Sequence, residues 1–343
     1  MILTIIFAIL FFSLIIFVHE LGHFLTARLF KVRVHEFAIG MGPAIYSRTK
    51  GDTKYSVRAI PMGGFCSMEG EDCDSDDENA FSSKPRYARL IILAAGAAMN
   101  IILGFIICLI FVTHGAVSNG VATVKVDTVM EESSLSGFLM QGDRIVSVNG
   151  QKVNIKRDID FAMQQSGGGD CEIVISRGGN KLSKTFKPYT AKYTDGSPAY
   201  LIGFTPIIEK ANPFNVVRES FFQTIWMGKL VFVSLGMLFH GEASVQDVSG
   251  PVGVVSAMNT TARTGGWLSL LYLASFISVN IGIMNLLPIP ALDGGRIFFV
   301  IVEAIRRKPI PPEKEGIVHF IGLVLLVGIM IFATWNDIVK LIR

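Results

Sequence analysis

Strong charge of either sign is missing from this sequence. Lys and Arg number 31 against 28 Asp and Glu, a formal net charge of +3 over 343 residues. That bias is too mild for a nucleic-acid partner, and none is expected. Cysteine is scarce as well. Cys66, Cys73, Cys108 and Cys171 have no spacing that suggests a zinc site or a disulfide framework, so all four read as structural. The first apolar run lacks a basic leader and a small-residue cleavage site. It is therefore read as a retained helix and not as a signal peptide, whose removal would also strand His19. What remains is largely apolar. Half of the residues are hydrophobic and the mean hydropathy is +0.49, the composition of an integral membrane protein with room for one soluble domain.

The run Ile2–Val18 ends in His19-Glu20-Leu21-Gly22-His23. Four residues apart on a helix, His19 and His23 stack on one face and can close on a single cation. Glu20 sits beside them, placed to take a proton from water polarised there. A plainer reading is two imidazoles and a carboxylate that pair with one another at a helix end. Next to a membrane-length apolar run such groups are costly unless something neutralises them, which favours the metal.

The first helix is expected over roughly Ile2–Phe30. The segment Arg28–Arg89 carries ten Lys and Arg, which places it in the cytoplasm and the N-terminus outside. Within it, Lys54–Met68 reads as short strands interrupted at Ile60-Pro61-Met62-Gly63-Gly64-Phe65; an ordinary surface hairpin and a backbone that admits another chain are equally compatible with the pattern. The acidic run Glu69–Glu78 reads as a solvated loop. A second span covers Leu90–Val112, where Gly96-Ala97-Ala98-Met99 offers a small-residue packing face. Asn100 at membrane depth needs a partner, either the first helix or its ligands.

From Ser118 to Pro188 the composition turns soluble. Strands are expected at Val121–Val126, Ile145–Val148, Cys171–Arg177 and Lys181–Phe186, and helices at Ser134–Leu139 and Asp158–Gln165. This pattern resembles a PDZ domain of the protease-associated kind, which binds extended peptide by strand addition. Phe214–Phe239 is apolar but contains Arg218, Glu219 and Lys229, and an amphipathic helix on the membrane surface is favoured over a span. Ser249–Gly253 reads as a turn, Trp267–Leu287 as a third span and Gly316–Trp335 as a fourth. Between the last two lies Leu287-Pro288-Ile289-Pro290-Ala291-Leu292-Asp293-Gly294-Gly295. Those breakers interrupt a helix at membrane depth, which is tolerated only where protein or a polar cavity satisfies the freed backbone. Asp293 is the natural third ligand, because two His, a carboxylate and water make a hydrolytic Zn(2+) shell. Four spans put both termini outside and both halves of the metal site towards the cytoplasm.

Taken together, His19–His23, Gly96–Asn100, the PDZ-like insert and the stretch Asn280–Gly295 resemble the site-2 protease family of intramembrane zinc metalloproteases, nearly end to end. The closest likeness is to bacterial enzymes that cut membrane-anchored anti-sigma factors. The resemblance implies zinc on His19, His23 and Asp293, Glu20 as general base, and Asn285 steadying the substrate backbone. It also makes Lys54–Met68 a re-entrant sheet that takes substrate as an added strand. Where the family often has Pro and His, this chain has Ala97 and Arg296; neither is a ligand position. The expected organisation is a helical membrane protein of about four spans: residues 1–113 with the first two spans and the β segment, 118–190 the extracytoplasmic PDZ-like domain, and 212–343 the amphipathic helix and last two spans. Its expected partners are single-span membrane substrates, trimmed beforehand by another protease, and the lipid bilayer of a bacterial plasma or inner membrane. A catalytically silent peptide-binding scaffold is the competing class; the intact Glu20 argues against it. A metal transporter would need several intramembrane sites along a path, and one cluster is present.

Overall fold

The computed structural model describes residues 2–71, 75–192, 196–241, 249–308 and 310–342. Cys73 and part of the acidic run lie outside the described residues. The chain forms two compact units, Met1–Ile107 with Met227–Arg343, and Cys108–Trp226.

In the first unit, α1 (Ile2–Leu29) is an unbroken apolar helix. In lipid only such internally bonded backbone is tolerated. At 1.5 Å per residue, His19 lies about 26 Å along it, near the far side of a hydrocarbon layer about 30 Å thick. Next come β1 (Val34–Lys50) and β2 (Thr53–Met68), an antiparallel pair longer than the sequence reading, which found neither β1 nor the continuity of β2. The missed arm contains Gly40, Gly42 and Pro43, which read as breakers; the two glycines take positive φ and sit where the register shifts, so they bend the strand without ending it. The register doubles: Phe37 pairs with both Cys66 and Tyr55, so the first half of β1 lies between the two halves of β2.

Five further helices contribute to this part of the fold. They are the earlier part of α2 (Arg86–Asn119), the later part of α4 (Pro213–Phe239), α5 (Pro251–Leu286), the short α6 (Asp293–Arg306) and α7 (Pro312–Ile342). The expected turn at Ser249–Gly253 is instead a helix start, with Pro251 in the first turn, where its missing N–H costs nothing. Asp337 of α7 accepts the Gly253 amide at 2.7 Å and so holds that end. α5 kinks at Gly266, with φ 67° and ψ −166°, just before the expected third span.

Side-chain contacts fix the helix directions. Thr4 meets Asn259 at one end of α1, whereas His19 meets Asp293 near the other, so α1 and α5 run the same way. Ser275 donates to the Gly104 carbonyl and Ser278 to that of Asn100, which sets α2 antiparallel to α5. Gly322 packs on Pro290 and Gly250 on Ala333, which makes α7 antiparallel too.

The second unit carries a sheet in the order β10-β3-β4-β6-β7, formed by Phe204–Glu209, Val121–Val129, Arg144–Val148, Cys171–Arg177 and Asn180–Phe186, with β5 (Gln151–Lys152) against β4. Its core gathers Val126, Leu135, Ile145, Ile159, Met163 and Ile173 around α3 (Lys156–Gln165). Two expectations are corrected. Ser134–Leu139 forms successive turns and no helix; Ser133 bonds back to the Ile202 carbonyl at 2.5 Å and holds the chain there. The domain also runs past residue 190, through β8 (Tyr189–Lys192) and β9 (Pro198–Leu201) to β10, which pairs with β3 from 75 to 88 positions away.

α4 opens with a reciprocal cap: Asn212 and Asn215 each accept the other's backbone amide, with Pro213 between them. Its Arg218 donates to the Asn154 carbonyl at 2.9 Å, and Gln223 and Thr224 are buried. Of the charged residues that argued for a surface helix, Arg218 is thus engaged inside this unit. Among the described residues, five helices (α1, α2, α4, α5 and α7) are long and apolar enough to cross a membrane, one more than expected. Among the described residues, Cys66, Cys108 and Cys171 are buried and form no disulfide.

Candidate metal centre

The centre is built from three segments far apart in sequence. The first is the last third of α1. His23 lies with Nδ1 2.9 Å from the Ile92 carbonyl; that ring nitrogen must be the donor, so Nε2 keeps its lone pair. His23 Nε2 is 3.2 Å from His19 Nε2. The second is α2, which crosses α1 where glycines face backbone or ring. A methyl group at Gly96 would strike His23 Nε2 and come 2.8 Å from His19 Cε1, and one at Gly22 would strike the backbone of Ala95. One turn on, the Asn100 amide meets His19 Nδ1 at 3.3 Å, and its buried oxygen has no other partner. A half-turn of that amide sets the oxygen to accept from His19, which then also presents Nε2.

The third segment is the break between α5 and α6. Ala291 takes φ 74°, a left-handed conformation that only a tight path imposes. The Ala291 amide donates to His319 Nδ1 of α7 at 3.0 Å, a tie that no sequence pattern announced. A Cβ on Gly294 would fall 2.5 Å from the Leu286 carbonyl carbon, and one on Gly295 2.7 Å from the Ile289 oxygen. The paired glycines therefore let α6 double back against the end of α5 and bring Asp293 to the imidazoles.

Asp293 Oδ2 lies 3.1 Å from His19 Nε2 and 3.5 Å from His23 Nε2. The oxygen is buried and has no hydrogen-bond partner. Three lone pairs turned on one point repel one another, and a cation there resolves the conflict. The edges of the triangle suit zinc: two ligands about 2.0 Å from a tetrahedral ion are roughly 3.3 Å apart. His19, His23 and Asp293 are the group of three ligating side chains found together among the described residues.

Glu20 borders the same space, a cavity of about 390 Å³. Gly64 packs against the stem of Glu20. The other side of the cavity is the Phe65–Met68 edge of β2. Cys66, read as structural from the sequence, is thus part of the cavity wall. Arg296 also lines it and pairs with Glu71 at 2.6 Å. Deeper along α6, Glu303 forms a buried pair with Arg89 of α2 at 2.7 Å and accepts the Ile310 amide. That brace was not foreseen, because its partners are 214 residues apart. Asn285 is half-buried in the last turn of α5 and does not line the cavity.

The model of peptidase family M50 matches residues 7–329. A Clostridium acetobutylicum protein that carries the name of a zinc metalloprotease is 37% identical over 338 residues, covering 98% of this chain and 97% of that one. The regulator of sigma-W protease RasP of Bacillus subtilis (strain 168) is 30% identical over 419 residues, covering 98% of this chain and 99% of its own. Among solved structures, the PDZ domain of an SdrC-like protein from Listeria innocua matches 26% of this chain and 99% of its own length, at 25% identity and a TM-score of 0.22. The chain belongs to peptidase family M50, the site-2 proteases, and is a multi-pass membrane zinc metalloprotease.

Proposed function

We propose that this protein is an intramembrane endopeptidase that holds zinc on His19, His23 and Asp293 and hydrolyses peptide bonds within transmembrane segments. The observation that carries the reading is the orphaned Asp293 oxygen between two imidazoles whose other nitrogens are already engaged. Zinc supplies Lewis acidity there, which eases attack of water on a carbonyl at neutral pH. Glu20 takes the proton released as water attacks and returns it to the departing amide nitrogen.

A peptide bond in a helical segment is shielded, because its amide is bonded along the helix. The unwound segment needs replacement partners. The Phe65–Met68 edge of β2 offers them beside Glu20, so substrate adds there as a strand. Asn285, at the end of α5 and outside the lining of the cavity, steadies the substrate backbone where it leaves the zinc site. Four spans, α1, α2, α5 and α7, have alternating directions and put both termini outside, while α4 lies along the outer membrane surface. The substrates are single-span regulators such as anti-sigma factors, in the plasma or inner membrane of a bacterium. Another protease trims them first, and the PDZ-like domain turns away those that still carry a bulky external part.

The test is zinc content measured together with cleavage of a model transmembrane segment in Glu20→Gln. Retained zinc with cleavage reduced by on the order of 10³-fold is expected. Near wild-type turnover would end the assignment of Glu20, and loss of zinc would make it a ligand.

A further inference from the structure

Just beyond the metal-bearing part of α1 lies an open basin of about 630 Å³, lined by Arg28, Lys31, Arg33, Lys50, Asp52 and Thr53 among others. Arg33 is held by Asp77 at 2.8 Å. Arg28, Lys31 and Lys50 have no carboxylate partner among the described residues; Arg28 instead leans on Phe24 and reaches Thr53 Oγ1 at 3.4 Å. Three unpaired cations from two separate segments therefore face one concavity.

The way α1 ends adds a second observation. The Val32 amide bonds to the Ala27 carbonyl and the Lys31 amide to that of Arg28, which places Lys31 at φ 58°. This turn normally takes glycine, and any other side chain is strained there. Cations are favourable at a helix C-terminus in general. That effect asks only for charge nearby, which Arg28 already supplies, and does not ask for a lysine at the strained position.

The surroundings specify the ligand. On the same last turns of α1 that carry Arg28, Leu25 and Leu29 are 51% and 73% exposed, apolar side chains close in sequence to the lining of the basin. Tyr87, also exposed, stacks edge-on with Phe30 across the start of α2, the aromatic pairing typical of headgroup depth. We propose that the basin binds the phosphate of an anionic lipid headgroup, with its acyl chains against Leu25 and Leu29, and so fixes the depth and rotation of the helix that carries His19 and His23. Arg28 offers its guanidinium fork to two phosphate oxygens, and Lys31 and Lys50 approach as point charges.

The purified full-length protein in detergent micelles is titrated with phosphatidylglycerol, phosphatidylcholine or inorganic phosphate, and bound ligand is counted by native mass spectrometry. Lys31→Gly is the first variant, because glycine relieves the backbone and leaves the fold sound; Arg28→Gln with Lys50→Gln is the second. We expect phosphatidylglycerol to bind about fivefold more weakly to the first and roughly 30-fold more weakly to the second, with phosphatidylcholine and inorganic phosphate weak throughout. Inorganic phosphate that binds as tightly as the lipid, with the same dependence on these residues, would keep the phosphate site and overturn its assignment to lipid. Phosphatidylglycerol affinity within twofold of wild type in both variants, or equal binding of phosphatidylcholine, would overturn the proposal.

Discussion

Two carboxylates, one in each unit, have opposite surroundings. Asp143 in the PDZ-like domain is 2% exposed. Arg177 donates to both of its oxygens, at 2.8 and 2.7 Å, and the Met140 amide adds a third bond at 2.8 Å. Both of the oxygens that burial strips of water have donors, and the group is spent on holding the fold. Asp293 Oδ2 is equally cut off from water, but it faces only two imidazole nitrogens that can accept. One arrangement is complete as it stands. The other is complete only with a cation, which is the difference between a carboxylate that stabilises a domain and one that serves a reaction.

The largest effect should come from breaking the incomplete site. Asp293→Ala leaves two neutral ligands and no charge to hold zinc. We expect zinc, assayed by mass spectrometry after dialysis against a mild chelator, to be lost, and cleavage of a model segment to fall by on the order of 10³-fold or more. Full zinc retention would show that the third ligand lies elsewhere. Gly96→Ala is next. Its methyl group must displace the imidazoles, and zinc affinity should fall roughly 100-fold, read by competition with a chromophoric chelator. Asn100→Ala removes only the partner of His19 Nδ1, and a loss of about 10-fold is expected in the same assay.

The complete site should behave in the opposite way. Asp143→Ala is expected to leave zinc at one ion per chain while amides of Val121–Val129 and Cys171–Arg177 exchange roughly 10- to 100-fold faster. Zinc loss in that variant would blur the distinction between the two regions. The smallest effect is one of pH. Arg177, followed by the Met140 amide, holds the Asp143 carboxyl below its ordinary value of 3.8. Its contribution to stability is therefore complete above that value and is lost as pH falls through it towards the lower folded value. Exchange protection in these strands, corrected for intrinsic rates, should be flat from about pH 7 to 5 and decline below about 4. Asp143→Asn should remove this part of the decline.

The same contrast explains how much was legible in the sequence. His19, Glu20 and His23 were visible because one helical turn brings them together. Asp293 was visible because prolines and paired glycines have few uses at membrane depth. Asn100 announced its need for a partner, and that partner is His19. Hidden were the features that depend on distant pairing: β10 against β3, Arg89 with Glu303, and His319 under the Ala291 amide. The β1 arm was missed for a different reason. Its glycines and proline mark turns in most contexts, and only the doubled pairing with β2 makes them bends within a strand. Residues 134–139 have a short apolar spacing compatible with a helix, but bonds to Ile202 and within the turns hold them otherwise.

Zinc-edge X-ray absorption on the purified protein tests the metal centre most directly. We expect one zinc per chain, with two imidazole nitrogens and only oxygen besides, at about 2.0–2.2 Å, and one imidazole fewer in any zinc that His19→Ala retains. A sulfur neighbour at about 2.3 Å would make Cys66 in the cavity wall a ligand in place of Asp293 and contradict the assignment. So would a shell that keeps both imidazoles after His19 is removed.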